Sequence, residues 1–407
     1  MNEKNHNYRI DVAAAAALIR ANMPTYPAAL TPLAETQGTV LRERVLAERD
    51  QPPFDRVTMD GIALRSAALN SGQRRFRVVG VQGAGAAAIV VGADDHCVEI
   101  MTGAMLPADA DTVVPVERLV PDGEFVTLAE DYEPQPGQFV HKCGTDHAAD
   151  STLAEPGCII GAAEMAALTI SGRTELAVSR WPDIAIISTG DELVDIGEPL
   201  EPFQIRSSND RAIAAALERH GCFAARRTHL PDSPDELRTA IAQLHADNDV
   251  LILSGGVSMG KYDYVPQILD ELGAELVFHK ILQRPGLPMW FGLSATGKPI
   301  FALPGNPVST LVCTSRYVIP ALLEALGLRV QPRLRVPLSE TIEFDPDLTC
   351  FMPVVLEHPQ AGGILAKPKP TNTSGDFVSL VGTDGFVQLD RGQDQFPRGH
   401  ACEFFPW

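Results

Sequence analysis

Three short stretches in the second half of the chain combine glycine, hydroxyl and carboxylate in a way that suits phosphate chemistry. They are Ser188-Thr189-Gly190-Asp191-Glu192, Ser254-Gly255-Gly256-Val257-Ser258-Met259-Gly260 and Leu303-Pro304-Gly305-Asn306-Pro307. In the second, Gly255, Gly256 and Gly260 permit positive φ and close backbone approach, so successive amides and the following helix terminus can cradle a phosphate. Ser254 and Ser258 add hydroxyl donors. Asp191, Glu192, Asp249 and Asp263 stand on or beside these loops, where a phosphate-bound Mg²⁺ needs oxygen ligands. Taken singly, such a loop is a tight strand-to-helix turn and each acid a helix cap or surface charge.

The first half offers a different constellation. Pro52-Pro53-Phe54-Asp55-Arg56-Val57-Thr58-Met59-Asp60-Gly61-Ile62-Ala63 joins a rigid entry to an acid beside glycine, so Asp60 is placed to act on a substrate presented by another domain. The alternative is an Asx-turn, in which the carboxylate bonds nearby amides, and the same two readings apply to Asp146 in Gly144-Thr145-Asp146. Thr102 and Gly103, in a segment of turns and short apolar runs, are expected on the rim of such a site. Histidines are scattered without metal-ligand spacing and neither HExxH nor GxSxG occurs, which gives a zinc protease or nucleophile-elbow hydrolase little support. Positioning and electrostatic stabilisation of developing phosphate charge fit better than covalent catalysis.

The elements that must hold these loops are legible from periodicity. Asp11 caps an amphipathic helix beginning at Val12; a signal peptide is the competing reading of the Ala-rich run, which is too short to span a bilayer. Residues 24–135 alternate short apolar runs with Gly, Pro and Asp breakers and read as a β-rich domain. Residues 1–23 and 136–180, with a helix over 162–170, form a discontinuous linking domain. From Asp183 strands alternate with helices, the pattern of a doubly wound α/β domain over 181–329. Strands are expected at 183–188, 249–254, 276–281 and 299–303, and helices at 209–220, after Ser233, at 264–272 and over 308–326. Ser233, Pro234 and Glu236 suggest a capping box. Residues 330–407 return to strand periodicity and form a C-terminal β domain. The fold class is therefore α/β plus β, multi-domain, with ligands beyond the carboxyl ends of the central strands.

Composition narrows the partners. The 407 residues exceed what one core usually organises, and the formal net charge is −19, which argues against nucleic acid. An anionic substrate then needs a local positive exception. The seven cysteines (97, 143, 158, 222, 313, 350 and 402) form no CxxC pair, so reduced cytoplasmic thiols are the simpler reading and no membrane association is expected.

Taken together the motifs resemble the MoeA family of molybdopterin molybdenumtransferases, which includes the E domains of gephyrin and plant Cnx proteins. The resemblance rests on PPFDRVTMDGIA (52–63), EIMTGAMLPADADTVVPVE (99–117), ISTGDEL (187–193), SSND (207–210), SGGVSMGKYDYV (254–265), RPGLP (284–288) and LPGNPVST (303–310), an ordered set spanning nearly the whole chain. It implies a homodimer whose active site joins the α/β domain of one subunit to the β-rich domain of the other. It implies insertion of molybdate into adenylylated molybdopterin with release of AMP, dependent on Mg²⁺. Asp60, Asp146, Glu192, Asp249 and Asp263 are then the candidate catalytic acids, with Glu192 and Asp263 holding Mg²⁺. The candidate substrate-binding residues are Thr102, Gly103, Ser188, Thr189, Gly190, Ser208, Asn209, Ser254, Gly255, Gly256, Val257, Ser258, Gly260, Lys280, Arg284, Pro285, Gly286, Pro304, Gly305 and Asn306. A molybdopterin adenylyltransferase and recipient molybdoenzymes are implied partners.

The chain departs from the family pattern in four places: MDGIA for MDGYA, Gly144-Thr145-Asp146 for GED, Leu287 for the lysine of PGKP, and Lys261 where an acid is frequent. A charged hydrogen bond contributes about 1.5–3 kcal/mol, so Leu287 bears on anion affinity. Two alternatives stay open on sequence: a diverged relative that binds molybdopterin or serves as a scaffold without inserting metal, and an adenylyltransferase acting on molybdopterin.

Overall fold

The computed structural model describes residues 9–222, 224–257 and 263–407. Two compact units emerge: residues 44–155 with 162–174, and the remainder of the chain, which includes both the α/β region and the C-terminal β region.

The smaller unit is built on a six-stranded sheet in the order Thr112–Pro115, Gly61–Leu64, His96–Ile100, Arg75–Gln82, Phe125–Leu128, Leu119–Asp122. Successive side chains of a strand point to opposite faces. Along Gly61–Leu64 this sends Ile62 and Leu64 into a cluster with Phe76, Val114 and Val126, and Ala63 into another with Val57, Val98, Ile100 and Val113. A sheet covered on both faces holds its connecting loops rigidly, and Asp60 lies at the entry to one of its central strands. Nothing larger than hydrogen fits at residue 61, because a Cβ there would lie 1.9 Å from the Val114 carbonyl oxygen.

In the larger unit the central sheet runs Arg226–Leu230, Ile184–Thr189, Val250–Ser254, Pro299–Leu303, Trp290–Leu293, Glu275–His279. The first four strands are parallel and the Trp290–Leu293 hairpin partner is antiparallel. Parallel strands are buried on both faces and read as continuous apolar runs. Ile184, Ile186, Val250 and Ile252 pack under the helix Asn209–Glu218 and the helix Pro307–Cys313, whereas Ala185, Ile187, Leu251 and Leu253 pack under Pro234–Asp247 and Val265–Glu271. Lys298 closes the end of Pro234–Asp247: its ammonium donates to the carbonyls of His245, Ala246 and Asn248 at 3.0, 3.3 and 2.7 Å.

Two expected features differ. The run 308–326 is not one α-helix but Pro307–Cys313, a π segment Thr314–Val318, and Ile319–Ala325. Pro320 lacks an amide to donate four residues back, and the wider turn accommodates the loss. Ser233 makes no side-chain cap bond; that helix starts on Pro234 with Asp235 and Glu236 in its first turn, an arrangement its dipole favours.

The C-terminal sheet runs Gln283–Arg284, Thr349–Glu357, Gly385–Leu389, Ala401–Pro406, Arg335–Pro337, with Leu365–Pro368 also on Thr349–Glu357. Its first strand comes from the α/β region, so the segment carrying Arg284 is hydrogen-bonded into the C-terminal sheet. Among the described residues no helix is long and apolar enough to cross a membrane.

Candidate active site

Each of the four parallel strands ends in one of the loops that form the crevice. Ile184–Thr189 leads to Gly190 and Glu192, Arg226–Leu230 to Asp232, Val250–Ser254 to Gly255, Gly256 and Val257, and Pro299–Leu303 to Pro304, Gly305 and Asn306; all of these line one chamber of about 770 Å³. This is the carboxyl edge of the sheet, where a doubly wound fold binds its ligand.

The loops are held by short backbone approaches that require glycine. A Cβ on Gly255 (φ +102°) would meet the Thr189 carbonyl oxygen at 2.7 Å, and one on Gly256 (φ +64°) would meet Val265 at 2.8 Å. Gly305 lies beside Gly255, where a Cβ would make ordinary contact at 3.4 Å with the Gly255 Cα. Asn209 ties the loops together: its amide donates to the Ser254 hydroxyl at 2.9 Å and the Gly305 carbonyl at 2.7 Å. Thr310 donates to the Pro304 carbonyl. The hydroxyls of Ser188 and Thr189 are buried without a hydrogen-bond partner among the described residues, and a buried unpartnered hydroxyl is costly unless something else satisfies it.

The acids cluster on one side of the chamber. The Asp191 carboxylate accepts from the Asp232 amide at 3.0 Å, and Glu192, Asp232 and Asp263 all line the wall. Burial, reinforced by repulsion from Asp191, Glu192 and Asp263, pushes the Asp232 carboxyl above its ordinary value. Repulsion of this kind is what a divalent cation relieves. Among the described residues no three potential ligands already converge on one point.

Asp249 is a correction. It precedes Val250–Ser254, at the opposite end of that strand from the chamber, where its carboxylate accepts from the Asp183 amide at 3.1 Å. The acid that the sheet delivers to the chamber is Asp232, which sequence reasoning missed. Ile205, Arg206, Ser207 and Phe377 also line the chamber without having been expected there.

A second chamber of about 930 Å³ shares Pro288, Pro304 and Asn306 with the first and lies against the C-terminal sheet. Arg284, Pro285, Gly286 and Leu287 line it together with Glu343, Asp345 and residues 370–374. Gly286 is packed so closely that a Cβ would lie 2.5 Å from the Gln283 amide nitrogen and 2.7 Å from Cys313 Sγ. Gln283, fully buried, accepts from the Tyr317 hydroxyl and donates to the Pro285 carbonyl at 3.1 Å. Among the described residues Arg284 is the only cation on this lining, and Leu287 adds none.

The remaining expected residues fall as follows. Ser208 lines the first chamber. Lys280 has φ +74° and lines neither chamber; its amide donates to the Met289 carbonyl at 2.9 Å. Ser258, Gly260 and Lys261 lie outside the described residues.

In the smaller unit, Asp60 is exposed. Its Oδ1 accepts from the Thr102 amide at 2.6 Å and the Thr102 hydroxyl at 2.7 Å, and these two bonds hold its carboxyl below the usual value. Gly103 (φ +84°) lets the turn close, donating to the Val57 carbonyl at 2.8 Å. Asp146 Oδ1 lies 3.0 Å from His141 Nε2, and the Arg56 guanidinium lies 3.2 Å from His141 Nδ1. Guanidinium only donates, so Nδ1 accepts and Nε2 carries the proton toward Asp146.

Three family models match the chain in order: the MoeA N-terminal region (domain I and II) over residues 10–172, a probable molybdopterin binding domain over 185–324, and the MoeA C-terminal region (domain IV) over 335–407. A molybdopterin molybdenumtransferase from Synechocystis sp. is 36% identical over 98% of this chain and 100% of its own length. The chain belongs to the MoeA family. A molybdopterin molybdenumtransferase from Synechococcus elongatus is 34% identical over 97% of this chain and 98% of its own. The crystal structure of the molybdopterin biosynthesis MoeA protein from Pyrococcus horikosii aligns with a TM-score of 0.81 at 29% identity, covering 98% of this chain and 99% of that one. Within the MoeA family, the α/β chamber described above lies in the stretch matched by the probable molybdopterin binding domain, apart from Gly375 and Phe377.

Proposed function

We propose that this chain is an enzyme of molybdenum cofactor biosynthesis that inserts molybdate into adenylylated molybdopterin and releases AMP. The observation that carries the reading is the chamber at the carboxyl edge of the parallel sheet, where glycine loops, the orphaned Thr189 hydroxyl and an acid wall meet. The loop amide of Gly256 and the hydroxyl of Ser254 hold the phosphate end of the substrate, in a cradle that Asn209 fixes by its bonds to Ser254 and Gly305. Arg284 draws the molybdate into the second chamber, next to the shared Pro304 and Asn306. The dithiolene sulfurs of the pterin, soft anionic ligands, replace oxygen ligands of the molybdate, which leave as water, and the anhydride between the pterin phosphate and AMP is cleaved to free AMP.

The donor set fits a hard divalent cation, and Glu192, Asp232 and Asp263 are the residues that would hold Mg²⁺. When bound, it would neutralise phosphate charge as it develops. Asp60, kept ionised by Thr102, acts in a homodimer by entering the partner subunit's crevice, and Asp146 is oriented by His141. The cytoplasm is the expected compartment, with a molybdopterin adenylyltransferase and recipient molybdoenzymes as partners.

The test is AMP release and cofactor formation from adenylylated molybdopterin, molybdate and Mg²⁺, comparing the protein with Asp60→Asn. Molybdate-dependent turnover that falls about a hundredfold or more in the variant, the effect of losing one charge-stabilising group, is expected. Tight binding without turnover in either protein favours the diverged binding relative, a reading that the apolar Leu287 beside Arg284 specifically supports.

A further inference from the structure

Outside both chambers, the first helix, the π segment and Arg333 surround a shallow depression of about 30 Å³. On its rim Arg20 is neutralised by Glu324, donating at 3.1 Å. Arg316 and Arg333 are not matched in this way. Both guanidinium groups pack over the Phe405 ring, 4.9 and 4.5 Å from its centroid, so one aromatic platform gathers two like charges. Arg316, half-buried on the π segment, spends one donor on Gln388 Oε1 at 3.3 Å. Among the described residues no carboxylate lies within 4.0 Å of either guanidinium. Desolvation lowers the proton affinity of both groups, helped by repulsion from Arg20 on each and from Arg316 on Arg333; Tyr317, Glu403 and Asp390 oppose it at Arg316, and Glu403 and Glu324 at Arg333. In a chain of net charge −19, two convergent cations without a contact anion mark a local reversal of sign.

We propose that Arg316 and Arg333 form a second binding site, for a small tetrahedral oxyanion such as inorganic phosphate, sulfate or molybdate. Both guanidinium groups line the same depression, and a guanidinium is a planar fork of N–H donors that suits an oxyanion edge. The depression is too small for a nucleotide or a pterin, and its opening to solvent beside exposed Arg333 gives an ion direct access. Arg316 adjoins Tyr317, whose hydroxyl donates to Gln283, the residue that packs beneath Gly286. An ion here therefore sits one residue from the network that fixes the Arg284 loop.

Two measurements on the full chain test this. In crystals soaked with selenate, an anomalous peak between Arg316 and Arg333 is expected, and its absence overturns the proposal without any variant. In solution, titration with inorganic phosphate at constant ionic strength should show saturable binding that survives Arg284→Gln. One binding step should weaken about tenfold in Arg316→Gln or Arg333→Gln and be lost in the double variant, leaving only the step that belongs to the glycine-loop chamber. An unchanged isotherm in the double variant, with the same number of sites and its circular dichroism intact, would refute the site.

Discussion

Asp232 combines burial with three neighbouring carboxylates, and both effects push its proton affinity upward. A carboxyl whose folded-state value is raised contributes stability below its unfolded value, about 3.9, and loses that contribution as the pH rises through the folded value. At neutral pH the charge therefore opposes folding. Asp232→Asn should raise the thermal midpoint by a few degrees at pH 7 and leave it unchanged near pH 3, as calorimetry across that range would reveal. Mg²⁺ should stabilise the natural chain and not the variant. Equal stabilisation of both would remove Asp232 from the cation's ligand set. Gly61 sets the opposite kind of limit: with a carbonyl oxygen 1.9 Å from where a methyl would sit, Gly61→Ala must displace a central strand. Overpacking of this severity costs about 3 kcal/mol, so urea unfolding of the variant should begin at clearly lower denaturant.

Elements explain what the residues alone leave obscure. The strand Arg226–Leu230 gives no signal in the sequence because its residues, Arg-Arg-Thr-His-Leu, are exposed or half-exposed until the last; an edge strand with polar outward positions has no apolar run. Missing that strand means missing Asp232, the acid two residues past its end. Asp249 adjoins a buried strand, yet strand direction decides which flank reaches the ligand, and only the carboxyl flank does. The glycine loops, in contrast, are legible because a continuous apolar strand followed at once by glycine has few structural solutions. The π segment is invisible: Pro320 lies within an otherwise helical pattern, and periodicity alone does not show how the helix absorbs it. Lys298 belongs at this scale too, since one ammonium satisfies three carbonyls at a helix end. Lys298→Met should cost about 1–2 kcal/mol by chemical denaturation, the sum of a charged cap and its dipole interaction.

For the whole molecule, the decisive question is whether one subunit suffices. Asp60 and Asp232 lie in separate compact units, and in the proposed dimer each active site takes the first from one subunit and the second from the other. Asp60→Asn and Asp232→Asn homodimers should then both be inactive. Mixed after dissociation, equal amounts should recover about a quarter of the natural activity, because half the dimers are mixed and each carries one intact site. No recovery, with exchange verified by mass, would mean that each subunit builds its own site.

The close approach of Gly255 to Thr189 and of Gly256 to Val265 limits how this crevice can be altered by evolution or in the laboratory. A Cβ on Gly255 would meet the Thr189 carbonyl oxygen at 2.7 Å and one on Gly256 would meet Val265 at 2.8 Å, both at positive φ, so neither position can acquire a side chain unless its neighbours retreat. The phosphate cradle is therefore inherited as a unit. Any change in what the crevice accepts has to be written on its outer wall, at Ile205, Arg206 and Phe377, where exposed side chains can be exchanged one at a time. A randomised library confined to those three codons would sample new ligands at little risk to folding, whereas one spread over the glycines would return mostly unfolded chains.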